Sequence, residues 1–190
     1  MKRLIPIVAF LAIVGFISQA EAQTSGTCRM SVTVSAARSV EVTDEPLTFG
    51  SVTPGSKMVN TDASGCKVKN SGTKWNAYEL NITNKPTAWS VYEETTGDPG
   101  NEEFRLLALF TSSSPPGTDD FVEANDIVKT AATLATTETV YAIDEEGPSV
   151  KGAHCSAGAV RKLWFRFDAP TTTDLSDQQW ITVTITATGA

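Results

Sequence analysis

The sequence predicts an all-β protein, an antiparallel sandwich of roughly nine short strands. Apolar and polar residues alternate with a period of two along much of the chain. The alternating segments are rich in valine, threonine, isoleucine and aromatic residues, which favour strands. Turn signals such as Thr53-Pro54-Gly55 and Gly147-Pro148 separate these segments.

The last predicted strand has the clearest pattern. Ile181, Val183 and Ile185 alternate with threonines, which gives one apolar and one hydroxyl face, as in an antiparallel sheet with a solvated side. Residues 104–110 are apolar at both parities, which indicates a central strand. The other strands are predicted, in chain order, at 30–35, 40–42, 47–49, 78–82, 89–91, 140–143 and 163–167.

Residues 112–132 interrupt the alternation. This stretch is rich in serine, proline and acidic residues, and we expect a long acidic surface loop with a short helix at 121–128. No linker divides the chain, so residues 23–190 are predicted to form a single domain.

Residues 1–22 have the pattern of a secretory signal peptide. Basic residues precede an apolar run from Leu4 to Ile17, and Ala20-Glu21-Ala22 is a small-x-small cleavage site. The run is too short to cross a membrane as a helix, and no later segment approaches that length. We therefore expect a secreted protein, periplasmic, at the cell surface or extracellular, with no membrane span after cleavage.

The charge of the chain excludes one class of partner. The net charge is −7, and it becomes −8 when Lys2, Arg3 and Glu21 leave with the signal peptide. Since no basic cluster is longer than Arg161-Lys162, we expect no binding to nucleic acid.

Three cysteines follow the leader, and an oxidising compartment favours pairing of two of them. The sequence does not decide among the possible pairings. We expect a disulfide between Cys66 and Cys155, because both lie in glycine-rich connections where strand ends of a sandwich could meet. Cys28 would then be an odd thiol, either available for an intermolecular bond or buried and free.

Residue types that perform chemistry are sparse. The one histidine, His154, lies beside Cys155, and no His/Cys set has zinc-ligand spacing. Calcium could take oxygen ligands from the acidic stretches at 119–126 and 144–146, but neither stretch matches a calcium-binding loop, and we interpret both as solvated surface charge. We therefore predict no catalytic residues, no metal site and no cofactor, and a protein that is not an enzyme.

Three of the four tryptophans occupy positions on the polar side of their strands. Trp164 and Arg166 alternate with a run of apolar residues, Trp180 shares its parity with the terminal threonines, and Trp75 shares its parity with Glu79. Exposed aromatic residues often mark a contact surface, so these positions are candidates for a partner or ligand surface. A β-bulge, or a loop over a strand end, would bury them instead.

Two segments resemble known proteins. Leu47–Gly55 (LTFGSVTPG) is similar to a segment that recurs in secreted bacterial immunoglobulin-like sandwiches, including pilin-type subunits. Leu163–Pro170 (LWFRFDAP), followed by a threonine-rich strand, is similar to exported bacterial proteins. The resemblance implies an immunoglobulin-like fold and export.

These features predict a secreted structural or adhesive surface or filament subunit. It would act by protein–protein association, with itself or with other surface proteins. Residues 23–35 would add a strand to the sheet edge of a neighbour. The alternative is a carbohydrate-binding module that stacks a glycan on exposed tryptophans.

Overall fold

The structure is a computed structural model, which describes residues 37–61, 65–112, 115–136, 139–143 and 147–189. The leader, Cys28 and the predicted strand at 30–35 lie outside the described residues.

Nine strands form two sheets in this part of the chain, which confirms an all-β protein. The immunoglobulin-like arrangement stays a prediction. The strands are β1 Val40–Thr43, β2 Lys57–Val59, β3 Cys66–Asn70, β4 Asn76–Asn84, β5 Ser90–Val91, β6 Glu103–Phe110, β7 Thr133–Leu134, β8 Val160–Asp168 and β9 Thr182–Gly189. One short helix, α1, spans Glu123–Asp126 within the predicted helical stretch, and a 3-10 turn spans Thr118–Asp120.

The large sheet has the order β1-β3-β8-β6-β5, and the small sheet has the order β7-β4-β9. In the large sheet β2 and β3 pair with successive parts of β8, whose other edge pairs with β6. Every strand pair is antiparallel except β5 with β6. Strand β8 is therefore the centre of the large sheet.

Six predicted strands are confirmed, as β1, β4, β5, β6, β8 and β9. Residues 47–49 form no strand, and in 140–143 only Ala142 makes an isolated bridge, to Phe110. The prediction missed β2, β3 and β7. The sequence of β3 did not indicate a strand. Its outward residues are lysines, and its buried residues, Cys66, Val68 and Asn70, are not uniformly apolar.

The core lies between the two sheets. Tyr78 of β4 stacks on Phe110 of β6 with ring centroids 5.9 Å apart, and Phe104 stacks on Phe167 at 5.8 Å. Each such ring buries about 150–250 Å² of surface. The inward side chains that complete this core include Leu80, Ile82, Leu106, Ala108, Leu163 and Phe165.

The acidic insertion covers the outer face of the large sheet. Its Phe121 and Ile127 pack against Leu107, Leu109 and Trp164 in a second buried cluster. We call residues 115–127 the cover; beyond it the chain passes the edge of β6, and Val128, Ala135 and Tyr141 belong to the core between the sheets. Because of the cover, β6 and β8 are buried on both faces, which explains why the β6 sequence is apolar at both parities.

The expected exposure of Trp164 is wrong. Parity correctly places its side chain on the face opposite Leu163 and Phe165, but the cover lies on that face and Trp164 is fully buried. The chain also packs closely on the indole ring. A Cβ added at Gly65 would lie 2.9 Å from a ring carbon of Trp164.

Arg166 is buried as well, so its predicted place on an exposed surface is also wrong. Asp168 accepts hydrogen bonds from Nε and Nη2 of Arg166, at 2.8 and 3.0 Å, and from Nε of Arg105 at 2.9 Å. Arg166 also pairs with Glu123 of the cover. Its guanidinium neutralises a buried carboxylate and ties the cover to β8.

Asp126 joins the cover to the later segment that carries Tyr141. Its side chain is 1% exposed, and it accepts the N–H of Val122 at 2.7 Å and the N–H of Tyr141 at 2.9 Å. Burial raises the pKa of Asp126 to about 7, although both hydrogen bonds and the charge of Arg166 act to lower it.

Replacing the central carboxylate of the charge network should destabilise the fold strongly. Asp168→Ala leaves two buried guanidinium groups without the anion between them, and we expect a loss of about 3–5 kcal/mol in the free energy of unfolding. The control is Asp98→Ala, because Asp98 belongs to the same network but is 69% exposed. Its loss should stay below about 1 kcal/mol. Equal losses in denaturant unfolding would contradict this account.

Asp126 should make stability fall as pH rises from about 4 to about 7. In the unfolded chain this carboxyl ionises near its ordinary pKa of 3.8, but in the folded chain only near 7. Unfolding therefore releases a proton in this window, and up to about 4 kcal/mol is lost as the pH rises through it. Denaturant unfolding of the wild type and of Asp126→Asn from pH 4 to 8 measures the effect. The free energy of unfolding of the wild type, relative to that of Asp126→Asn, should fall as the pH rises. Parallel pH profiles of the two proteins would refute the prediction.

Candidate functional site

Strand β9 forms an open edge of the small sheet. Among the described residues no strand pairs with its second edge. It is eight residues long and has neither a charged residue nor a proline. Natural sheet edges are usually protected by charges, proline or a short length. This edge lacks those protections, and it is a template for a further strand.

The pairing of β4 with β9 determines which backbone groups face this open edge. Tyr78 donates its N–H away from β9, to the carbonyl of Gly152 at 3.1 Å. The neighbouring residue Glu79, which lies opposite Thr186, therefore bonds toward β9. By the same alternation, the residues of β9 whose N–H and C=O groups point to the open edge are Val183, Ile185 and Ala187.

A groove of about 260 Å³ lies beside this edge and reaches the core. Val183 and Ile185 of β9 line one side, and Leu47 lies in the segment that lines the other. Leu106 and Phe165, both core residues, also contribute to its lining. Val183 and Ile185 are only half-buried. The described residues thus leave apolar side chains partly uncovered where β9 ends the sheet.

A larger cleft of about 710 Å³ adjoins the groove and shares Leu47, Phe49 and Trp180 with it. Its aromatic lining also includes Trp89 and Phe167. Trp180 is 55% exposed. Of the predicted surface tryptophans, Trp180 is therefore the one that the fold brings to this cleft.

Trp75 lies elsewhere, just before β4. It is 58% exposed, and its ring meets that of His154 edge to face at a centroid distance of 6.5 Å. Trp75 and Trp180 are thus both exposed, but they do not combine with Trp164 and Arg166 into one surface. A role of either tryptophan in binding stays a prediction.

The expected disulfide between Cys66 and Cys155 is absent, since both thiols are buried and free. The carbonyl of Cys155 accepts a hydrogen bond from Asn70 at 2.8 Å, at the end of β3 opposite to Cys66. Four residues of strand separate these ends by about 13 Å, whereas a disulfide needs Cα atoms within about 7 Å. Instead, the Tyr78 hydroxyl bonds to the sulfur of Cys155 at 3.3 Å.

The described residues contain no group of three or more His, Cys, Asp or Glu side chains that could hold a metal ion. In the same part of the chain, none of the helices has the length and apolar character needed to cross a membrane. The open edge, the groove and the cleft are the candidate functional features of the described residues.

The sequence matches no family model, and a comparison with curated proteins found no match.

The two buried thiols should resist alkylation in the folded protein. Burial raises the pKa of Cys66 to about 12, so its reactive thiolate is scarce at pH 8. We expect iodoacetamide to leave Cys66 and Cys155 unmodified until denaturant is added, as measured by peptide mass spectrometry. The denatured sample is the control for reagent activity. A peptide pair joined through these two cysteines, or rapid labelling without denaturant, would contradict the structure.

Proposed function

We propose that this chain is an exported structural or adhesive subunit that works by associating with other protein subunits. In this proposal residues 23–35 of one copy add a strand to the β9 edge of the next copy. The observation that carries the proposal is the uncharged eight-residue edge of β9 beside a groove that reaches the core. A chain that extends this sheet would satisfy backbone groups and cover apolar side chains at once.

The donor segment has the pattern that this edge requires. Met30, Val32 and Val34 are apolar and separated by one polar residue each, so they project from the same face of a strand. Side chains on that face would enter the groove, and their polar neighbours would face away. Burial of each such side chain contributes about 1.5–3 kcal/mol before the cost of association is subtracted.

A charge placed on either face of the donor segment tests this directly. The double substitution Val32→Asp and Val34→Asp puts two carboxylates on the face that enters the groove, and should abolish association. The matched control, Thr33→Asp and Ser35→Asp, adds the same charge to the opposite face and should preserve it. Light scattering over a range of concentrations measures the molar mass, with and without reductant, so that a covalent link through Cys28 is distinguished.

The acceptor edge offers a second arm to the same experiment. Ala187→Pro removes an N–H that points to the open edge and makes no bond to β4, so the small sheet should persist while association weakens. Ala187→Gly keeps the N–H and serves as its control. A wild-type protein that stays monomeric at all concentrations, or donor variants of both faces that behave alike, would refute the proposal.

A further inference from the structure

The cleft beside the groove has the composition of a site for a neutral sugar. We propose that it binds a short uncharged oligosaccharide, with Trp180 as a stacking platform. This inference goes beyond the proposed association, and it rests on the lining of the cleft rather than on the edge of β9. The cleft volume of about 710 Å³ lies within the range of small-molecule sites.

The aromatic part of the lining is held rigidly. Phe49 packs on Phe167 with ring centroids 5.5 Å apart, and Trp89 stacks on the same ring at 6.0 Å. The indole N–H of Trp89 donates to the hydroxyl of Thr173 at 3.0 Å, which fixes the ring. These packed rings form the aromatic part of the cleft lining. Trp180 is the most exposed of the four aromatic rings in the lining, and its ring can cover the C–H face of a sugar ring.

Polar groups surround this aromatic surface. The lining includes hydroxyl and amide side chains, namely those of Ser51, Ser176, Gln178 and Gln179. Amides and hydroxyls both donate and accept hydrogen bonds, which suits the hydroxyl groups of a saccharide.

The charge of the lining indicates a neutral ligand. Among the described residues that line the cleft, Asp177 is the one ionisable side chain, and no basic residue is present. The chain as a whole carries a net charge of −7, which opposes anionic polymers. Neutral glycans therefore fit the cleft better than sulfated or uronic-acid chains.

A glycan array followed by titration tests the proposal on the full mature chain. The array carries neutral cello-, xylo-, manno-, malto- and chito-oligosaccharides beside uronic-acid chains, and the strongest binder is then titrated by tryptophan fluorescence. We expect a neutral oligosaccharide to bind. Trp180→Ala should weaken it at least about tenfold, and Trp180→Phe, which keeps an aromatic face, should retain most of the affinity.

Trp75→Ala is the matched control, because it removes an equally exposed tryptophan away from the cleft, and its affinity should equal that of the wild type. Circular dichroism checks that each variant is folded. The titration is repeated with the Val32→Asp and Val34→Asp variant, which lacks the proposed association. Sugar binding that persists there shows that the cleft acts independently of the donor strand. No response to any neutral glycan, or equal losses from Trp75→Ala and Trp180→Ala, would overturn the proposal.

Discussion

Burial of β6 and β8 on both faces is the constraint on which the rest of this fold depends. Their inner faces pack on the small sheet, and their outer faces pack under the cover, so two central strands share two apolar clusters. An apolar outer face would attract other chains if the cover were displaced. The charge network holds the cover on this face, because it joins Asp168 and Arg166 on β8 to Glu123 on the cover. The same residues therefore stabilise the central strands and attach the cover to them.

The outer face of the large sheet and the β9 side of the small sheet differ in how their apolar side chains are covered. On the outer face of the large sheet, apolar side chains are closed off by a long insertion, at the cost of buried charges that need partners. Along β9, half-buried valine and isoleucine side chains have no such cover among the described residues. Among the described residues, a covering segment thus closes the apolar outer face of the large sheet and none closes the β9 side. This contrast favours an interpretation of the β9 side as an interface rather than as an imperfection of the core.

Alternation in the sequence predicted strands well where one face is dry and the other polar, as in β4 and β9. It failed for Trp164 because parity tells which face a residue occupies and not whether another layer lies on that face. Asp126 was interpreted as solvated surface charge because its hydrogen bonds to Val122 and Tyr141 form only in the folded insertion. The disulfide prediction failed because the distance between Cys66 and Cys155 depends on which end of β3 each residue approaches. The groove and the cleft could not be derived from sequence at all, since they form between segments far apart along the chain. The uncharged, proline-free terminal strand was the one signal of an open edge that the sequence contained.

An open apolar edge and a net charge of −7 are compatible because they act at different distances. Repulsion between acidic molecules extends over about 8–10 Å at moderate ionic strength and slows unselective encounters. Backbone pairing and apolar burial act only at contact, after a strand of suitable pattern has reached the edge. In the proposed association, several hydrogen bonds and buried side chains would form at contact and oppose the screened repulsion between surfaces. If the chain associates as proposed, the pattern of the added strand would therefore determine which partner binds, and the net charge would only reduce encounters with other acidic molecules.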